Sequence, residues 1–159
     1  MLHSFRVEQQ HAPSPALFLM DTIIRKYNYR LETGTVGTDN DNIAAILYNI
    51  NRMEMTATFS STDKDKIAEK LGGLVFMVVD SKVHLRRFLK ASAGKTSAAT
   101  VAAVESAFDN AIKIADDDNL LSDNSNTSEA CAVFPKVYKM LLGIVPSILA
   151  LDAQAVGRV

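Results

Sequence analysis

The sequence predicts a helix-rich α+β fold, with a small sheet of about three strands covered by helices. Apolar residues recur at helical spacing over several long stretches. Two strand-like stretches frame a short polar helix at 54–80. The chain also ends on an apolar stretch that is typical of helices. A length of 159 residues suits a domain with a core of its own.

The chain begins with a short predicted edge strand at 4–8, followed by two helices. Ser14 is placed to cap the first helix, and Gly34 is placed to end it. The loop that follows is rich in Gly, Asn and Asp. Asp41 is placed to cap the second helix, which we expect to end near Met53.

The stretch 54–80 predicts a strand-helix-strand unit. "MEMTATFSS" alternates in polarity and is rich in Thr and Phe, which favours a strand. "TDKDKIAEKLGG" is typical of a short helix that ends at glycine, and "LVFMVVD" is a continuous β-branched run, as in a buried strand. Two parallel strands joined by a right-handed crossover are therefore expected.

The second half of the chain is predicted to be helical. We expect helices at 81–91 and 96–115, then an acidic, flexible linker at 116–129 and an apolar helical segment at 130–159. The predicted organisation is thus a globular α+β core at 1–115, the linker and the C-terminal segment.

The stretch "ASAGKTS" matches the end of a phosphate-binding loop, but the rest of that motif is missing. Leu89 stands where the motif needs its first glycine, and no predicted strand leads directly into the loop. A break between two helices explains the stretch better. Gly94 would end one helix, and Thr96 or Ser97 would cap the next.

The residue types that hold metals or act as nucleophiles are sparse. His3, His11 and His84 have no metal-binding partner three or four residues later. The single cysteine, Cys131, stands in an apolar pattern and is expected to be a small buried residue. The acidic stretch 116–127 has Leu121 where a calcium loop needs glycine and Thr127 where it needs a bidentate Glu. We therefore expect no metal, no cofactor and no enzymatic activity.

A basic stretch near the middle of the chain is the first candidate site. On a helix, its apolar residues Leu85, Phe88 and Leu89 would point inward, leaving a cationic face outside. Three interpretations stay open: a solvated face, a contact for nucleic-acid phosphates, or a partner for the acidic block downstream, within one chain or between chains. The candidate residues are Lys82, Arg86, Arg87, Lys90 and Lys95.

The apolar C-terminal segment is the second candidate site. It could close the core of its own domain, dock onto a protein partner, or lie at a membrane interface. Its most apolar part, 140–151, is too short for a membrane span and contains Pro146, so no transmembrane segment is expected. The candidate docking residues are Met140, Leu141, Leu142, Ile144, Ile148, Leu149 and Leu151.

These observations favour a non-enzymatic assembly, scaffolding or adaptor subunit that acts through protein–protein contacts, with itself or another protein. A structural accessory protein of a virus or phage is one concrete version. The single cysteine and the lack of an apolar core like that of a signal peptide at 1–15 suggest a cytoplasmic protein, or a virion component. The alternatives are a nucleic-acid-binding accessory protein that uses 82–95, and a small enzyme whose site is assembled from scattered residues.

Overall fold

The computed structural model describes residues 14–36 and 41–157, and within these ranges it contains helices and no strand. Short 3₁₀ turns lie at Glu54–Thr56 and Asp118–Leu121. The α-helices are α1 (Pro15–Thr33), α2 (Asn42–Met53), α3 (Lys64–Ala91), α4 (Ala98–Ala115), α5 (Thr127–Cys131), α6 (Val133–Gly143) and α7 (Val145–Ala155).

The predicted α+β class is wrong, because the stretch predicted as strand-helix-strand folds into a 3₁₀ turn and a long helix. Asp63 caps α3 by accepting hydrogen bonds from the backbone N–H groups of Asp65 and Lys66. The helix then runs for 28 residues, through Gly72 and Gly73, to Ala91. The predicted edge strand at 4–8 lies outside the described residues.

The physical reason for this correction is a helical pattern that crosses the two glycines. Seven buried residues follow one another at alternating steps of four and three, which places them on one side of a helix. Burying that row against neighbouring helices outweighs the strand preference of the β-branched run. We call this row the inner seam: Ile67, Leu71, Leu74, Val78, Ser81, Leu85 and Phe88.

The two helices predicted before this stretch are confirmed. The Ser14 hydroxyl accepts from the Leu17 backbone N–H, and Gly34 ends α1 with a φ of 71°. Asp41 does stand at the N-cap of α2, but its side chain makes no capping hydrogen bond. One Asp41 carboxylate oxygen instead lies 2.6 Å from the Arg30 guanidinium, which ties α2 to α1.

Helix α2 is central to the bundle, since it contacts α1, α3, α6 and α7. Most of its side chains are buried, including Ile46, Leu47 and Ile50. Helix α4 contacts α3 on one side and α6 and α7 on the other. The C-terminal helices α6 and α7 therefore contribute to the same core as the helices before them.

The stretch between α4 and α5, predicted as a linker, follows the bundle surface. Asp117 caps the 3₁₀ turn at Asp118–Leu121, and Asn126 caps α5. The side chains of Leu120 and Leu121 are half-buried and pack against the core. The predicted break between α3 and α4 is confirmed, and Ser97 caps α4. Helix α3 ends earlier than predicted, with Ser92 as its C-cap, and Gly94 lies in the turn with a φ of 79°.

Candidate functional site

The basic stretch places most of its cations on the solvent side of α3. Arg86, Arg87 and Lys90 are exposed, and within residues 14–36 and 41–157 none of the three forms a salt bridge. The Lys82 ammonium is directed elsewhere, because it lies 2.6 Å from a carboxylate oxygen of Asp109 on α4. Lys95 is exposed in the turn between α3 and α4.

The apolar side of the basic stretch is buried, as the sequence predicts. Leu85 and Phe88 belong to the inner seam and are 3% and 7% exposed, while Leu89 is half-buried. The cationic side chains therefore project from a helix whose opposite side packs against the core. The structure brings Arg86, Arg87 and Lys90 together and separates Lys82 from them.

A second row of residues runs along the outer side of α3. Its members also follow at alternating steps of four and three, and all are exposed except the half-buried Val83. We call this row the outer seam: Asp65, Glu69, Gly72, Phe76, Val79, Val83, Arg86 and Lys90. It is acidic at its N-terminal end, apolar in the middle and basic at its C-terminal end.

The apolar middle of the outer seam is the part that sequence reasoning missed. Phe76 is 65% exposed and Val79 is 44% exposed. The run that contains them was expected to be a strand buried on both faces. The signal that would have found them is the four-and-three spacing, which puts Phe76 and Val79 on the side opposite Leu74 and Val78.

A groove of about 360 Å³ opens beside the acidic end of the outer seam. Its floor is apolar and comes from α3, including Leu71 and Val75. Its far wall carries three consecutive exposed carboxylates, Asp116, Asp117 and Asp118. Negative charge therefore extends beyond Asp65 and Glu69 at this end of the helix.

The predicted docking residues of the C-terminal segment lie in or against the core. Leu141, Ile148 and Leu151 are fully buried, so a partner cannot reach them without opening the bundle. The other four, Met140, Leu142, Ile144 and Leu149, are half-buried and pack against the core. A shallow groove of about 340 Å³ reaches Leu142.

The helical stretch Thr127–Ala155, which comprises α5 to α7, is long and apolar enough to cross a membrane. In the structure, 39% of its most apolar window is buried. Core helices of soluble proteins and membrane spans share this composition, so the stretch does not discriminate between them. The expectation of no transmembrane segment stays a prediction.

A polar cluster lies where α3 meets α2, and sequence reasoning missed it as well. The Asn49 side-chain amide donates to the Asp80 carboxylate at 2.9 Å and to the Ser81 hydroxyl at 3.1 Å. The His84 ring lies 2.9 Å from the Asn42 side-chain oxygen through Nδ1, and 3.5 Å from Asp80 through Nε2. Asp80 and His84 are four residues apart, a spacing that makes two side chains neighbours on a helix. The strand predicted for 74–80 does not bring them together.

Tyr27 of α1 borders this cluster. Burial raises the pKa of its phenol above the ordinary value of 10.0, and the charges of Asp41 and Asp80 raise it further. The nearby groove of about 190 Å³ is lined by Arg30 and Asp152, among others, and not by Asp80 or His84. The cluster is therefore a set of hydrogen bonds between helices rather than the wall of that groove.

Within the described part of the chain, no group of three or more His, Cys, Asp or Glu side chains is placed to hold a metal ion. Cys131 is buried, and its thiol lies 3.7 Å from the Ser61 carbonyl oxygen. The "ASAGKTS" stretch forms the turn between α3 and α4, not a loop after a strand. No protein-family model, no curated protein and no solved structure matches this chain.

Proposed function

We propose that this protein is a non-enzymatic assembly or adaptor subunit, and that the outer seam of α3 is its contact surface. The observation that carries the proposal is the exposure of Phe76 and Val79 in the middle of a charged helix face. Large apolar side chains that cluster within a polar rim are typical of protein–protein contacts.

A partner that covers the middle of the outer seam would bury apolar surface of Phe76 and Val79. Burial contributes about 25 cal/mol per Å² of apolar surface, and an aromatic side chain is the largest single source of such area. Phe76 has charged residues at both ends of its row, so a partner can be aligned by charge before the apolar groups meet.

The polar cluster supports a structural role more than a catalytic one. A catalytic carboxylate or imidazole must face a substrate. Across the α2–α3 contact, Asp80 instead accepts from Asn49, and the His84 ring lies against the side-chain oxygen of Asn42. Their mutual hydrogen bonds fix the relative position of the two helices.

Nucleic-acid binding is the second candidate, and the exposed trio Arg86, Arg87 and Lys90 favours it. Each cation that neutralises a phosphate adds affinity that falls with salt. The acidic end of the same seam opposes this function, because Asp65 and Glu69 would repel a phosphate backbone that continued along α3.

Size-exclusion chromatography with light scattering tests the proposal, with absorbance recorded at 260 and 280 nm. The chain has no Trp and four Tyr, so bound nucleic acid would dominate the absorbance ratio. We expect a particle heavier than the 17.3 kDa chain and no excess absorbance at 260 nm. Phe76→Ser should dissociate it, and Phe18→Ser should not, since Phe18 is 70% exposed but lies on α1.

A monomer at every concentration would count against self-assembly. Excess absorbance at 260 nm that disappears in high salt, and in the double variant Arg86→Ala/Arg87→Ala, would favour the nucleic-acid function instead.

A further inference from the structure

We propose that the partner of the outer seam is a second copy of this chain, with its α3 antiparallel to the first. The two-fold axis would lie between the two helices, at the level of the midpoint between Met77 and Val78. The inference deepens the proposed function and rests on it. It follows from a symmetry in the residues of the outer seam, which can be checked position by position.

The spacing of residues along the outer seam is symmetric about its midpoint. From Asp65 to Lys90 the steps are alternately four and three, and they read the same in both directions. A two-fold axis at the midpoint therefore places every seam residue opposite another seam residue. Alternating steps of four and three also allow two helices to pack side by side along their length. The contact would extend for about 38 Å at 1.5 Å per residue.

The residues that this axis places opposite each other are complementary in shape and polarity. At the centre, Phe76 of each copy faces Val79 of the other, so the two most exposed apolar groups of the seam cover each other. Further out, Gly72 faces Val83. A Cβ placed at Gly72 meets nothing within 4 Å, so the fold of one chain does not require glycine there. At an interface, glycine lets the opposed valine approach the backbone closely.

The charges at the two ends of the outer seam are opposite in sign. Glu69 faces Arg86, and Asp65 faces Lys90, so the antiparallel arrangement forms each pair twice. A parallel arrangement would place like charges side by side, which disfavours it. The carboxylates of Asp116 to Asp118 lie beside the acidic end and add to its attraction for the basic end of the partner.

Two of the lysines near the acidic end, Lys64 and Lys70, direct their ammonium groups to partners within their own chain. The Lys64 ammonium donates a hydrogen bond to the Ser122 carbonyl oxygen at 2.7 Å. The Lys70 ammonium lies 5.8 Å from the centre of the Phe59 ring, on the side of α3 away from the outer seam. Both cations are thus engaged within their own chain.

Charge reversal tests the pairing of the ends. Glu69→Arg and Arg86→Glu each put like charges opposite each other at two symmetric places. We expect each variant to raise the dimer dissociation constant about tenfold at low salt, and the double variant to restore it to within about threefold. Sedimentation equilibrium over a range of concentrations measures the constant. Lys113→Glu, on the exposed side of α4, makes the same charge change as Arg86→Glu and should have no effect.

Disulfide formation tests the direction of the helices. In the double variant Gly72→Cys/Val83→Cys, the antiparallel contact brings position 72 of one copy to position 83 of the other. The two positions are about 16 Å apart within one helix, so they cannot form a bond within one chain. We expect covalent dimers on a non-reducing gel for the double variant and few for Gly72→Cys alone. Efficient dimer formation by Gly72→Cys alone would indicate a parallel contact and overturn the inference.

The outcomes separate this inference from the function on which it rests. If the chain is a dimer and neither Glu69→Arg nor Arg86→Glu changes its dissociation constant, the antiparallel α3 contact is wrong. The proposed assembly function would then require another contact surface. A monomer at every concentration overturns the dimer and self-assembly together.

Discussion

Two apolar runs of this protein differ in how completely the fold buries them. "MLLGIVPSILAL", near the C-terminus, could by its sequence close the core, dock onto a partner or lie at a membrane interface, and its Leu141, Ile148 and Leu151 are fully buried. "LVFMVV", in the middle of the chain, was expected to be a fully buried strand, yet it exposes Phe76. Apolar content indicates that a segment can be buried, whereas its neighbours decide which side is buried.

The difference comes from the number of helices that surround each run. Helix α7 contacts α1, α2, α4 and α6, so little of it can remain outside. Helix α3 contacts α2, α4 and α5 and keeps one side open. The same four-and-three spacing that fills the inner seam also produces the outer one.

Removal of the C-terminal run should have the largest effect. Deletion of 125–159 takes Phe134, Tyr138 and Leu141 out of the core, among others. Since net stabilities are only about 5–15 kcal/mol, we expect no cooperative unfolding transition in the truncated chain. Thermal melts followed by circular dichroism measure this. A sharp transition with helix content close to that of the full chain would instead indicate an appendage on an independent core.

Single truncations sharpen the comparison within intact chains. Leu141→Ala should lower the free energy of unfolding by about 2–5 kcal/mol, because it leaves a cavity in the core. Phe76→Ala should change it by less than about 0.5 kcal/mol in the monomer, since that side chain already contacts solvent. Urea titrations at concentrations where the chain is monomeric measure both. Equal losses in the two variants would mean that the outer seam is buried in solution.

The glycines of α3 allow a smaller test of the same helix. Gly73→Ala should raise the free energy of unfolding by about 0.5–1 kcal/mol, because glycine is unfavourable inside a helix and the added Cβ meets nothing within 4 Å. Gly94→Ala should lower it, since Gly94 has a φ of 79°. If Gly73→Ala were destabilising, the continuous helix through this position would be in doubt.

The smallest expected effect concerns alkaline pH. The folded chain holds the Tyr27 proton more tightly than the unfolded chain does, since the pKa is raised from 10.0. The folded state then binds more protons above that pH, so the free energy of unfolding falls as pH rises past it. Tyr27→Phe should make this decline less steep, whereas Tyr29→Phe, at an exposed phenol, should not. Urea titrations from pH 9 to about 11 compare the two variants.

The features of the fold that depend on neighbouring residues could be predicted from the sequence. The ends of α1 and α4 follow from Ser14, Gly34 and Ser97, whose roles need only a few neighbouring residues. The cationic face at Arg86 and Lys90 follows from helical spacing in the same way. Local chemistry is sufficient for such features because the groups that stabilise them are one helical turn apart.

The remaining features depend on distant contacts. Gly72 and Gly73 suggest the end of a helix by themselves, and only burial of the inner seam against α2 and α4 carries the helix through them. The bonds from Asn49 to Asp80 and Ser81 join residues about thirty positions apart, which no local pattern reveals. The outer seam could not be predicted from the strand interpretation, because a strand places Phe76 and Val79 on opposite faces.

Burial of the inner seam affects the rate at which the outer seam can associate with a partner. Since α3 is anchored to the core along its length, from Ile67 to Phe88, its solvent face is already ordered before any partner arrives. Association would then cost translational and rotational freedom and the freedom of interface side chains, but it would not require a segment to fold. The rate of encounter would be set by diffusion and by the charges at the two ends of the helix. The surface is preorganised, so the conformational entropy of ordering its backbone is lost during folding rather than during recognition.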